Sequence, residues 1–309
     1  MPADIANPRL SWNLAQDVSE LLEYHFMTNA LLAGAIVAVI AGLIGWLMVL
    51  RRETFAGHTL SLMAFPGASS AALLGVPAAW GYFAFCGVGA LAIGRLSGGE
   101  RRAWSEESAG IGAVQAVALA AGFLFVSLYG GVLGDLENLL FGNPIGVSDG
   151  QVLLLAAVAV GALLVLGAIG RPLLFASIDP HVAGARGVPV GALSSTFLLL
   201  LGLAVAATSQ ITGVLLVFAL LVGPPATAQA ITARPLLSLG LTVVFGLFVV
   251  WLGLGISYFS VYPAGFFIAT ISFAVYVLAR VLVAARAWRS YGRPRRPPAP
   301  EPSPSGVIA

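Results

Sequence analysis

Residues 27–52 read Met27-Thr28-Asn29-Ala30-Leu31-Leu32-Ala33-Gly34-Ala35-Ile36-Val37-Ala38-Val39-Ile40-Ala41-Gly42-Leu43-Ile44-Gly45-Trp46-Leu47-Met48-Val49-Leu50-Arg51-Arg52. The stretch carries no charge until two arginines close it. At ~1.5 Å of rise per residue, a helix of this length crosses the ~30 Å hydrocarbon core of a bilayer. No water is available there to satisfy backbone amides, so the segment must pair them internally as a helix. Similar apolar stretches follow at 58–76, 79–97, 109–130, 150–170, 190–209, 213–232, 236–258 and 264–286. The expected fold is all-α, a polytopic transmembrane helical bundle of about 8–9 spans in a cell membrane.

The arginines orient that bundle. There is no lysine, and the 15 basic residues are all arginine. Arg51 and Arg52 follow the first span, Arg95, Arg101 and Arg102 the third, Arg171 and Arg186 the fifth, and Arg234 the seventh. Arg286, Arg289, Arg293, Arg295 and Arg296 follow the ninth. The alternate gaps hold Asp135, Glu137 and Asp149 or no charge. The positive-inside rule therefore places the N-terminus outside and the C-terminal tail in the cytoplasm.

Three regions follow. Residues 1–26 are acidic on balance and precede a span too long for a signal-peptide core. Within them, 13–26 alternate apolar and polar faces at helical spacing and suit the outer membrane surface. Residues 27–286 hold the spans. Residues 287–309 form a basic, Pro-rich tail that cannot bury apolar surface and is expected to be disordered. Cys86 is the sole cysteine, so disulfides and thiolate metal cages are excluded. The net charge of +2, spread along an inner rim, gives no ground for nucleic-acid binding.

Prolines and glycines mark places where the spans are expected to break: Pro66-Gly67 in the second, Gly223-Pro224-Pro225 in the seventh, and Pro263 between the last two. Each proline removes an amide donor and frees a carbonyl. In a membrane that carbonyl needs a partner or a wet cavity. A packing kink and a translocation pathway are both open readings. The polar groups inside the spans are mild: His58, Ser61, Ser69, Ser70, Gln115, Thr227, Gln229, Ser257 and Tyr258. Leu96-Ser97-Gly98-Gly99-Glu100 looks like the signature loop of an ABC ATPase. A phosphate-cradling loop ending in lysine is impossible here, so the segment reads as a cytoplasmic turn.

Two stretches carry a family resemblance: Val49-Leu50-Arg51-Arg52-Glu53-Thr54-Phe55-Ala56-Gly57-His58 running on to Pro66-Gly67, and Phe175-Ala176-Ser177-Ile178-Asp179-Pro180-His181-Val182-Ala183-Gly184-Ala185-Arg186-Gly187-Val188-Pro189. With Thr212-Gly213-Val214 through Gly223-Pro224-Pro225-Ala226-Thr227, and Leu139-Leu140-Phe141-Gly142-Asn143-Pro144, they resemble the membrane permease subunits of the ABC-3 family. The resemblance runs in order from about residue 27 to 286.

That resemblance implies a type II-like importer permease for zinc, manganese or iron in the inner (plasma) membrane of a prokaryote. The permeases pair as homodimers or with a second permease. They dock separate cytoplasmic ABC ATPase subunits and receive cargo from an extracytoplasmic solute-binding protein. The permease itself holds no cofactor; ATP acts on the partner subunit. The loop 176–188 would be the coupling helix, with Asp179, Pro180, His181, Ala183, Arg186 and Gly187 as its residues. Asp179 suits an N-cap, Pro180 the first helical position and Gly187 the end.

The substrate side departs from the family pattern. Members that import metals typically have Asp at the position of His58, His at that of Leu62 and Asp at that of Val261. From residue 180 to 300 there is no Asp or Glu. One imidazole cannot build a selective cage of imidazole and carboxylate ligands. His58 is therefore either a hydrogen-bonded interface residue or a lone metal ligand. Candidate pathway residues are His58, Ser61, Pro66, Gly67, Pro224, Pro225, Thr227, Ser257 and Tyr258. The functional readings are an importer of a divalent metal ion or metal complex, a permease for a non-metal or chelated solute, and a non-transporting membrane anchor or sensor.

Overall fold

The computed structural model describes residues 14–97, 104–130, 146–214, 217–260 and 262–291. Among them the helices are α1 (Leu14–Glu23), α2 (His25–Leu50), α3 (Thr54–Leu74), α4 (Ala78–Ser97), α5 (Trp104–Tyr129), α6 (Asp149–Ile178), α7 (Pro180–Ala185), α8 (Val190–Thr212), α9 (Val217–Ile231), α10 (Pro235–Tyr258) and α11 (Ala264–Tyr291). Each of the nine expected spans corresponds to one helix, α2–α6 and α8–α11. Seven of these, all but α3 and α9, are long and apolar enough to cross a membrane.

The two exceptions have physical causes. α9 holds only 15 residues, or about 22 Å at the helical rise. α3 carries His58, Thr59, Ser61, Ser69 and Ser70, and it buries most of its residues against other helices rather than lipid. A helix inside a bundle need not be apolar on every face. Outer helices show the reverse: α5, α6 and α11 bury little of themselves and turn Phe123, Leu153, Leu164 and Phe273 outward. In a membrane those side chains meet acyl chains.

α2 occupies the centre and packs against α6, α8, α9 and α10. α3 packs on α4 and α5 to one side, while α9, α10 and α11 pack together on the other. Lipid offers no hydrophobic drive between helices, so close approach through small residues supplies much of the association. Gly67 of α3 and Gly81 of α4 lie so close that a Cβ on either would strike the other's carbonyl. Gly45 of α2 meets the Leu221 carbonyl of α9 in the same way.

Polar contacts between distant helices agree with the expected sidedness. His25 Nε2 lies 2.9 Å from Asp149 Oδ1, and the Tyr258 hydroxyl donates to Glu20 at 3.4 Å, joining residues all expected outside. Trp46 Nε1 donates to Ser238 Oγ at 2.9 Å, and Gln229 Nε2 to the Trp46 carbonyl at 2.9 Å, near the expected inner ends. The amphipathic helix expected within 13–26 forms as α1, which rests on α2.

Several boundaries differ from expectation. Pro66 and the Pro224-Pro225 pair do not interrupt their helices: α3 and α9 run through them. The carbonyl left without a partner by Pro225, that of Leu221, faces Gly45 in a tight helix contact, as the packing reading has it at this position. Pro263 does separate α10 from α11. α11 continues to Tyr291, past the expected start of the tail at 287. The signature-like turn at 98–100, the segment 139–145, Val261 and the tail from 292 lie outside the described residues.

Candidate functional site

The loop between α6 and α8 builds a short exposed helix. Asp179 caps it, its Oδ1 accepting from Val182 N at 2.9 Å, and Pro180 takes the first turn where its missing amide costs nothing. The chain stops turning at Arg186 and Gly187. Gly187 adopts φ +80, and Val188 N returns to the Ala183 carbonyl at 3.1 Å, closing the last turn. Ala183 alone points inward and is fully buried. His181, Val182, Ala185 and Arg186 are exposed, and Ile178 beside them is 73% exposed. The result is a small knob with an apolar and basic surface, in contact with α6 and α8.

Directly behind the knob lies a polar cluster that the sequence did not single out. Arg51 caps α2, and its side chain is only 9% exposed. Its Nε and Nη2 reach Glu53 Oε1 at 2.9 and 2.7 Å. Nη2 also donates to Ser194 Oγ at 2.9 Å, and Nη1 to Ser177 Oγ at 3.1 Å. The guanidinium stacks 5.0 Å from the centre of the Phe197 ring. Read along the chain, Arg51 was only a marker of the inner side. The signal that it does more was Glu53, a carboxylate two residues away beside an apolar span.

The pathway candidates fall into separate places. His58 lies in the first turns of α3, at the inner end, its ring edge-on to Phe218 of α9 at 5.0 Å between centroids. Its Nδ1 is buried and makes no hydrogen bond within the described residues. Ser61 is buried and donates to its own helix at Gly57. Pro66 and Gly67 are buried in the packing of α3 against α4 and α5. Pro224, Pro225 and Thr227 are buried in α9, and Thr227 donates to the Gly223 carbonyl. Ser257 donates to the Tyr262 carbonyl, and Tyr258 meets Tyr24 at a tilt and Phe259 edge-on at the outer end. His58 thus meets the α9 group through Phe218, while Ser257 and Tyr258 belong to the opposite face of the membrane. Among the described residues no group of three or more His, Cys, Asp or Glu is arranged to hold a metal ion.

Known proteins resemble this arrangement over most of its length. The ABC 3 transport family matches residues 23–283. The "Manganese transport system membrane protein MntC" of Halalkalibacterium halodurans is 33% identical over 249 residues, covering 81% of this chain and 83% of that protein. The "Manganese import system permease protein ScaB" of Streptococcus parasanguinis is 29% identical, covering 70% of this chain and 75% of its own. Among solved structures, PsaBC from Streptococcus pneumoniae in complex with Fab superposes with a TM-score of 0.76 at 26% identity, covering 88% of this chain and 99% of that one. The helical order, the proline-bearing helices and the knob between α6 and α8 thus accompany a match across nearly the whole bundle, and the chain belongs to the ABC 3 transport family as a multi-span membrane permease subunit.

Proposed function

We propose that this permease carries manganese, or a closely similar divalent cation, inward as the membrane subunit of an ABC importer. The observation that carries the reading is α7, a capped and exposed knob on the arginine-rich side, in a chain whose relatives are named for manganese transport. α7 docks a separate ATPase: Val182 and Ile178 offer an apolar contact and Arg186 a charge. ATP is bound and hydrolysed by that partner. The permease pairs with a second permease, and a solute-binding protein delivers cargo at the outer face.

A second form of the cargo, a metal complex, is favoured by one observation. The run from residue 180 to 300 holds no carboxylate, and Leu62 stands where the family resemblance places a ligand. A bare ion loses its hydration only where several good ligands replace it. Selectivity then rests mainly on the binding protein, with the permease acting as a gate. The test is uptake of radioactive manganese into proteoliposomes holding the full complex, with calorimetry on the permease alone. ATP-dependent uptake with weak binding to the isolated permease is the expected result. Tight stoichiometric binding of free Mn²⁺ lost in His58→Ala would assign selectivity to the permease instead, and absence of uptake would refute the transport reading.

A further inference from the structure

One guanidinium holds together both ends of the loop that carries α7 and the turn that starts α3. Ser177 is the next-to-last residue of α6, two before the cap of α7, and Ser194 lies in the first turns of α8 after the knob. Glu53 immediately precedes α3, and His58 sits one turn further on. Arg51 bonds to Glu53, Ser177 and Ser194 at 2.7–3.1 Å, and its guanidinium carbon sits over the Phe197 ring, 5.0 Å from its centre. The α2–α3 turn is itself tight: Arg52 sits at φ +61, and Glu53 N returns to the Met48 carbonyl at 3.0 Å. Arginine suits the position because its planar fork serves several acceptors at fixed angles, which a lysine ammonium does not.

We infer that Arg51 is the joint that transmits displacement of α7 to α3: a push on the knob moves Ser177 and Ser194 and, through the guanidinium and Glu53, carries the start of α3 with them. The inference rests on α7 being the docking element. Arg51 touches neither cargo nor nucleotide; it is a positioning residue. The buried charge has a further consequence. With its partners withdrawn it would be left uncompensated in a poorly solvated place, so the cluster moves as a unit rather than coming apart.

The complete transporter in proteoliposomes provides the test, comparing wild type, Arg51→Gln, Arg51→Lys and the double variant Ser177→Ala/Ser194→Ala. The double variant removes two partners without leaving a charge unpaired by its carboxylate, and so keeps the test open if Arg51→Gln folds poorly. ATPase association is expected to persist in all of them, with manganese taken up per ATP hydrolysed falling roughly tenfold, the upper range for residues that carry coupling. Spin labels at Ala192→Cys, two residues before Ser194, and at Phe55→Cys, both exposed, give a second readout. Their distance is expected to stay constant through the ATP cycle in the wild type and to change in the variants. Uptake and hydrolysis falling in proportion, or a label distance that varies in the wild type, would overturn the joint. Val182→Glu separates this from the underlying reading. If it leaves ATPase association intact, α7 is not the docking element, whatever Arg51 does.

Discussion

Gly67 and Gly81 illustrate what one atom decides in this bundle. Their backbones touch where α3 crosses α4, and each would collide with the other's carbonyl if it bore a Cβ. A backbone carbonyl cannot swing aside as a side chain can. Gly67→Leu is therefore expected to push the two helices apart and destabilise the protein by about 1–3 kcal/mol, the usual range for overpacking. Gly87 in the same helix pair has nothing near its Cα hydrogens. Gly87→Ala should be neutral or stabilising by up to about 1 kcal/mol, since it only restricts the unfolded chain. Thermal unfolding of both variants in detergent checks the contrast, and equal midpoints would contradict the crossing. Cys86 belongs to the same packed region, buried with its Sγ 3.7 Å from the Leu60 carbonyl, a small core residue as its mid-span position indicated.

At the scale of the element, α7 depends on two local devices at its ends. Asp179→Ala removes the bond to Val182 N and is expected to cost about 1 kcal/mol, confined to the knob. Gly187→Pro is incompatible with φ +80 and abolishes the turn that returns Val188 N to Ala183. Both variants should weaken capture of the ATPase while leaving the thermal midpoint of the bundle nearly unchanged, because most of the knob's surface already faces solvent. A pull-down with the purified ATPase, run beside a melting curve, measures the two together. Full retention of the ATPase by Gly187→Pro would show that the knob is a mere connector. α3 and α9 make a different point about elements. Their prolines read as breaks along the chain, yet both helices run through them, and in α9 the freed Leu221 carbonyl lies against Gly45 of α2.

The whole molecule presents a sidedness that can be read by chemistry. Arg186 on α7 and Tyr262 beyond α10 are both exposed, and they are expected on opposite faces of the membrane. In a Cys86→Ala background, an impermeant thiol reagent added outside intact cells should label Tyr262→Cys and leave Arg186→Cys untouched until the membrane is opened. Labelling of Arg186→Cys from outside would invert the topology. The bundle also shares out its polar groups by depth. The cluster around Arg51 closes the inner end, and the His25–Asp149 pair with Asn29, whose Nδ2 also donates to Asp149, ties α2 to α6 at the outer end.

Sequence alone determined the class of the molecule, the positions of its long apolar helices and the short helix between α6 and α8. Those properties are local: length and apolarity force a helix in lipid, and Asp179, Pro180 and Gly187 act on their own turn. Tertiary structure decided which prolines open a helix and which glycines are contacts. It also decided the role of Arg51. Its partners Ser177 and Ser194 are 126 and 143 residues away along the chain, and no periodicity or motif records a meeting at that range. Only the packing of α2, α6 and α8 brings those hydroxyls within reach, because a buried guanidinium must find acceptors wherever the folded chain supplies them.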